Sequence, residues 1–106
     1  MKLLVVTSLK DCQKIVAKIL DEAGIEVFSL SETIGYKDHQ RPVLLDNWFS
    51  SGSDQFDSIF LFSFTEDVKA NGALELIKKY NEDNKTKFPI RAFIVPVEKS
   101  SYSMME

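Results

Sequence analysis

The chain is poor in the residues from which catalytic and metal sites are most often built. It has one cysteine and one histidine in 106 residues. The single cysteine, Cys12, excludes a disulfide within the chain and is typical of a reducing compartment. With one histidine, His39, no Ser-His-Asp or Cys-His unit can be assembled from the sequence. His39 is a metal candidate only around a threefold axis, or together with Asp38 and a neighbouring chain, because zinc takes several ligands; a solvated loop histidine is the simpler interpretation.

Excess positive charge and long apolar segments are also missing. The net charge of -3 argues against a nucleic-acid partner, because phosphate binding requires a basic surface. No uninterrupted apolar run exceeds four residues, so no transmembrane helix is expected. The N-terminus lacks a small-residue cleavage site, so we do not expect a secretory signal and expect a cytoplasmic protein. The length and the 44% apolar content are those of one globular domain covering residues 1–106.

Apolar spacing and turn residues divide the chain into four strands and two helices. Period-two or continuous apolar runs predict strands at 2–6, 25–34, 58–64 and 90–97. An apolar stripe at helical spacing predicts a first helix that Ser8 caps and Gly24 ends. A second helix is predicted after Thr65, which would cap it, and Gly72 weakens this helix by roughly 1 kcal/mol relative to alanine.

This order, βαββαβ, predicts an α+β ferredoxin-like sandwich: a four-stranded antiparallel sheet with two helices on one face. The third strand is apolar on both faces. Ile59 and Leu61 lie on one face, and Phe60, Phe62 and Phe64 lie on the other. A sheet face in contact with water should carry polar residues, so we expect self-association to cover the aromatic face. The alternative is a domain with more exposed apolar surface than it needs.

A long segment at about 36–56 has neither helical nor strand periodicity. Connections longer than about 12–15 residues are uncommon inside a compact domain and are often functional. This one contains Trp48 and Phe49, and aromatic side chains are favoured anchors of protein interfaces. We therefore expect Trp48 and Phe49 to bind a partner. The alternative is a loop that folds back over its own core.

Three segments resemble the PII signalling proteins. They are AGI at 23–25, at the junction of helix and strand; TIGY at 33–36, where a strand leads into the long loop; and AFIVPVE at 92–98, in the last strand. The resemblance implies a non-enzymatic sensor that forms a homotrimer and binds a small effector in clefts between subunits. It also implies a T-loop at about 36–56 that contacts a protein partner, such as a membrane transporter or an enzyme. The CutA-like proteins, which are tied to divalent metals, share this fold and trimer and are an alternative.

The resemblance also locates a ligand site at the end of the first strand, the base of the T-loop and the last strand. Arg91 stands where the PII pattern has a phosphate-contacting lysine, and a guanidinium can grip a phosphate or carboxylate with two hydrogen bonds. A surface ion pair of Arg91 with Glu98 or Glu75 is the alternative. Gly35 would let the backbone approach the ligand. The expected ligand-binding residues are Thr7, Gly35, Tyr36, Lys37 and Arg91.

The chain departs from the PII pattern at two places. PII proteins hold nucleotide phosphates on a glycine-rich loop before the last strand, whereas residues 81–89 contain no glycine, which argues against ATP or ADP. The tyrosine that PII proteins modify midway along the T-loop is also absent. The ligand therefore stays open among anions, nucleotides and metals. A second function class is a dimeric ferredoxin-like enzyme acting on a small substrate, for which the strands offer only Arg91, Glu26 and Glu32.

Overall fold

The computed structural model describes residues 1–36 and 55–101. These residues form four strands and two α-helices, and one turn of 3₁₀ helix, Lys10–Cys12, precedes the first helix. Among them, no helix has the length and apolar character needed to cross a bilayer. In chain order the elements are β1 (Lys2–Leu9), α1 (Gln13–Glu22), β2 (Ser29–Tyr36), β3 (Gln55–Thr65), α2 (Asp67–Asp83) and β4 (Arg91–Pro96).

The four strands form one antiparallel sheet in the order β2-β3-β1-β4. The two central strands, β1 and β3, pair along the whole of β1, from Lys2 opposite Thr65 to Leu9 opposite Ser58. Four antiparallel strands and two helices make this an α+β fold, which confirms the predicted class. The most apolar strand, β3, lies between two neighbours, as its sequence requires.

The core lies between the helices and one face of the sheet. Alternate residues of the central strands point into it, so that Leu4, Val6 and Leu61 are fully buried while their neighbours along each strand are more accessible. Each helix contributes an apolar stripe to the same cluster. The helical members that are buried there are Val16, Ile19, Leu20, Ala73 and Ile77.

Gly24 ends α1, as predicted. Its φ of +82° lies in the left-handed region, which is favourable only for glycine among the common residues. The amide of Ile25 donates to the carbonyl of Leu20 at 2.9 Å, and the amide of Gly24 donates to the carbonyl of Asp21 at 3.0 Å. This pair of bonds is a Schellman motif, which satisfies the last carbonyls of the helix and reverses the chain.

The predicted helix caps are wrong at both helices. Ser8 is still in β1, opposite Ile59, and its hydroxyl donates to the carbonyl of Leu9. The residue that precedes α1 is Cys12, which is half-buried and forms no side-chain cap bond. Thr65 is likewise the last residue of β3, and Glu66 precedes α2 without a cap bond. Pairing in the central ladder includes both hydroxyl residues in strands, although a local pattern favours them as helix caps.

The predicted bounds of the second strand are also wrong. The strand begins at Ser29 and not at Ile25, because residues 25–28 do not pair with β3 as strand residues. The carbonyl of Val27 instead accepts a hydrogen bond from the Ser63 hydroxyl at 2.7 Å. At its other end β2 continues to Tyr36, which pairs with Gln55. Both ends of the predicted 36–56 loop are therefore strand. The rest of that prediction concerns residues 37–54, which lie outside the described residues.

The second face of the sheet carries a row of phenylalanines. Phe60, Phe62 and Phe64 alternate with buried residues along β3, and the centroids of consecutive rings are 6.1 Å apart. Phe64 is 52% exposed, and Phe93 on β4 is 54% exposed. The prediction of a third strand apolar on both faces is thus confirmed. We call the surface formed by Phe60, Phe62, Phe64, Phe93 and Val95 the aromatic face.

Candidate functional site

A cavity of about 360 Å³ lies at one end of the sheet, where the strands begin or end. The C-terminal ends of β1 and β2 and the N-terminal ends of β3 and β4 meet at this end of the sheet, because β1 and β2 run antiparallel to β3, and β1 runs antiparallel to β4. Four separate parts of the chain therefore reach the same place. The lining residues are Thr7, Ser8, Leu9, Gly35, Tyr36, Phe56, Ser58, Lys87, Phe88, Pro89 and Arg91.

The structure brings together four of the five residues expected from the sequence to bind a ligand. Thr7, Gly35, Tyr36 and Arg91 all line this cavity. The register explains why: Thr7 pairs directly with Arg91 across the β1–β4 ladder. Lys37, the fifth residue, lies outside the described residues. Ligand binding by these residues stays a prediction.

The cavity has a positive wall. Lys87 and Arg91 are the only charged residues in its described lining, and both are exposed. The two ion pairs proposed as alternatives for Arg91 do not form: Glu75 binds Lys78 at 3.3 Å, and neither it nor Glu98 pairs with Arg91. Two cations without a carboxylate beside them in the described lining attract an anion.

An aromatic wall faces the same space. The rings of Phe56 and Phe88 lie with their centroids 4.9 Å apart at an angle of 57°, an offset, tilted pair. Phe56 also covers Gly35, its partner across the β2–β3 ladder, so closely that a Cβ on Gly35 would overlap the ring. Glycine at position 35 thus leaves the space that the Phe56 ring occupies.

The loop between α2 and β4 is held at both ends. The Asn81 side chain donates to the carbonyl of Ile90 at 2.7 Å and accepts from the amide of Ile90 at 3.0 Å. Within the loop, the amide of Phe88 donates to the Thr86 hydroxyl at 2.7 Å. These bonds fix the stretch that carries Lys87, Phe88 and Pro89 against the cavity.

Sequence reasoning missed the loop and the start of β3 as parts of the site. Residues 81–89 lack glycine, so they show no phosphate-binding pattern that would point to Lys87 and Phe88, and the predicted loop at 36–56 includes Phe56. A signal for Lys87 was present, since a cation followed by Phe-Pro immediately before a strand that carries Arg91 places two positive charges at one strand end. No local pattern indicated that Phe56 would contact Phe88, which is far away in sequence.

The other candidate residues lie elsewhere. Glu32 forms an ion pair with Lys10 at 2.9 Å, and this hydrogen bond and charge raise the pKa of Lys10 above its ordinary value. Glu26 is exposed in the turn before β2, beside a different cavity. In residues 1–36 and 55–101, no three potential metal ligands cluster. His39, the metal candidate, and Trp48 and Phe49, the partner-binding candidates, lie outside the described residues.

Comparison with known proteins adds no family to this geometry. No family model matches the chain, and no curated protein matches its sequence.

Proposed function

We propose that this protein is a PII-like regulatory protein of the cytoplasm. In this proposal a ferredoxin-like βαββαβ domain forms a homotrimer and binds a small anion in the cavity at the end of the sheet. It signals to a protein partner through the segment 37–54. It does so without catalysing a reaction. The observation that carries the proposal is that Thr7, Gly35, Tyr36 and Arg91, placed by resemblance alone, line one cavity.

The charge of the cavity supports an anionic effector. Arg91 and Lys87 line it, and no acidic residue does so in the described lining. A guanidinium offers a carboxylate or phosphate two parallel hydrogen bonds, and a nearby ammonium adds a point charge. Hydroxyl groups of Thr7 and Tyr36 lie in the same lining and provide neutral donors.

The position of the cavity supports a link to the segment 37–54. Tyr36, which lines the cavity, is the last described residue of β2, and Gln55, its partner, is the first of β3. The segment therefore leaves and re-enters the fold at the ligand site. An effector that bound one arrangement of this segment more tightly than another would shift its population and so its affinity for a partner.

The aromatic face supports self-association. Phe60, Phe64, Phe93 and Val95 are each more than a third exposed, on a face opposite the helices. Contiguous apolar surface of this kind is typical of interfaces. A second and third copy of the chain, with their sheets facing inward, would cover it.

The proposal is tested by calorimetric titration of the full chain with phosphate, bicarbonate and small carboxylates. We expect Arg91→Ala to weaken the anion that binds wild type by at least about tenfold, because a charged hydrogen-bonding partner is lost. Lys85→Ala is the matched control: it removes an equal charge from the same loop, but Lys85 does not line the cavity. Equal affinities of wild type and Arg91→Ala for every anion would refute the site.

A further inference from the structure

We infer that the cavity takes an anion with a flat, unsaturated ring and a single anionic group, such as an aromatic carboxylate or an aromatic monophosphate. This inference rests on the proposed anion site and adds the chemical class of its ligand. It follows from three features of the lining: the aromatic pair, the spacing of the cations around it, and the backbone amides of the loop.

The aromatic pair provides a surface for a ring. Phe56 and Phe88 are half-buried and both line the cavity, with their centroids 4.9 Å apart. Tyr36, 69% exposed, stands at the same rim. Aromatic rings pack favourably in offset or tilted arrangements, beyond the gain from the area they bury. A planar ligand body could therefore stack on this wall, which a saturated ring cannot do, whereas a purely polar anion would leave the wall in contact with water.

The cations are close to Phe88 in the chain and line the same cavity. Lys87 precedes Phe88 in the chain, and Arg91 follows three positions later, at the first residue of β4. One short stretch thus carries the ring and both charges, and the Asn81 side chain holds its end at Ile90. A ligand with its ring against Phe88 would place its anionic group beside Lys87 and Arg91.

The backbone of the loop is not arranged to cradle a polyphosphate. Phosphate cradles use several free backbone amides, often beside glycines. Here the amide of Phe88 donates to Thr86, the amide of Ile90 donates to Asn81, and Pro89 has none. Residues 88–90 therefore offer no such row of amides, and the side chains of Lys87 and Arg91 would hold the anionic group, which suits one carboxylate or phosphate. The volume of about 360 Å³ is near the lower end of ordinary ligand sites, about 300–1,000 Å³.

The test compares matched pairs of probes by calorimetric titration of the full chain. The first pair is phenyl phosphate and inorganic phosphate, of which only the former has a ring. The second pair is benzoate and cyclohexanecarboxylate, which are similar in size, but only benzoate has a planar ring. We expect the aromatic member of at least one pair to bind at least about tenfold more tightly. Phenyl phosphate against benzoate then distinguishes a phosphate from a carboxylate ligand, and we expect ATP to gain nothing over phenyl phosphate.

Variants assign the preference to the aromatic pair. We expect Phe88→Leu to reduce the aromatic preference by about two- to tenfold, and Phe88→Tyr to retain it, because the ring is kept. Phe93→Leu is the control, since Phe93 is on the aromatic face and not in the cavity. Anions that bind equally well with and without a ring would overturn the inference while leaving the anion site in place. If no anion binds at all, the proposed function fails with it.

Discussion

Replacing Asn81 with alanine removes the two hydrogen bonds that attach α2 to the start of β4. The Asn81 amide group donates to the carbonyl of Ile90 at 2.7 Å, and its oxygen accepts from the amide of Ile90 at 3.0 Å. Ile90 is 3% exposed. Its two backbone groups therefore have little access to water, and Asn81 satisfies both of them where the sheet ladder has not yet begun.

The magnitude follows from these two bonds. An intramolecular hydrogen bond contributes about 0.5–1.5 kcal/mol net, and a buried group left without its partner costs about 1–3 kcal/mol. The Asn81 side chain is itself half-buried, so water can replace part of what it provides in the variant. We therefore expect Asn81→Ala to reduce the free energy of unfolding by about 2–4 kcal/mol. That is a large part of the about 5–15 kcal/mol that stabilises an ordinary domain.

Equilibrium unfolding in urea, followed by circular dichroism at a fixed protein concentration, measures this change. Fixed concentration is needed because assembly raises apparent stability by mass action. Asn84→Ala is the matched control: its side chain donates to the carbonyl of Tyr80 at 3.0 Å, but the bond is exposed. We expect it to cost less than about 1 kcal/mol. If Asn81→Ala and Asn84→Ala are equally stable, the role assigned to Asn81 is wrong.

Asn81→Asp separates the two bonds. A carboxylate can still accept from the amide of Ile90, but it cannot donate to the carbonyl, which it would instead repel. Protonation restores a donor, so the folded state should raise the pKa of this carboxyl above its ordinary value of about 3.9. A carboxyl group whose pKa is higher in the folded than in the unfolded state destabilises the fold at pH values above that folded-state pKa, and less so below it. The loss of stability of Asn81→Asp relative to wild type should therefore shrink as the pH falls through the folded-state pKa of this carboxyl towards its ordinary value.

Two further substitutions test the aromatic face and the glycine beneath the aromatic pair. Phe93→Glu should leave the protomer folded, because Phe93 is exposed, but it should convert the trimer to a monomer, as measured by light scattering. Val68→Glu is the control, because Val68 is exposed on α2 and not on the aromatic face. A monomeric wild type would refute the assembly. Gly35→Ala should cost about 1–3 kcal/mol in urea unfolding through overlap with the Phe56 ring. Gly72→Ala should not destabilise, because its Cβ would make only an ordinary van der Waals contact with Ala23 at 4.0 Å. Equal behaviour of the two glycine variants would refute the contact at Gly35.

The elements of this fold could be predicted from the sequence because their signals are local. The stripe of α1 and the left-handed Gly24 are properties of a short stretch of chain, and both are as expected. The alternation in β3 also needed no neighbours to be recognised: Leu61 is buried and Phe64 exposed, as period two requires.

The ends of the elements could not be predicted in the same way. Ser8 and Thr65 have the residue type of helix caps, yet both remain in strands because β1 and β3 pair along the whole of β1, from Lys2 opposite Thr65 to Leu9 opposite Ser58. A cap is worth little against a ladder that satisfies the same backbone groups and buries side chains on both strands. The start of β2 likewise depends on a partner distant in sequence, since its pairing with β3 begins only at Ser29, opposite Phe62.

The candidate site divides along the same line. The sequence alone predicted an α+β fold with a two-faced central strand, and pointed to Arg91 through a resemblance to a family. Only the tertiary structure placed Lys87 and Phe88 beside Arg91 and brought Phe56 against Phe88. The physical reason is that a strand or helix is specified by the period of neighbouring side chains, whereas a cavity forms where the ends of antiparallel strands meet, and the pairing that brings those ends together joins residues far apart in the chain.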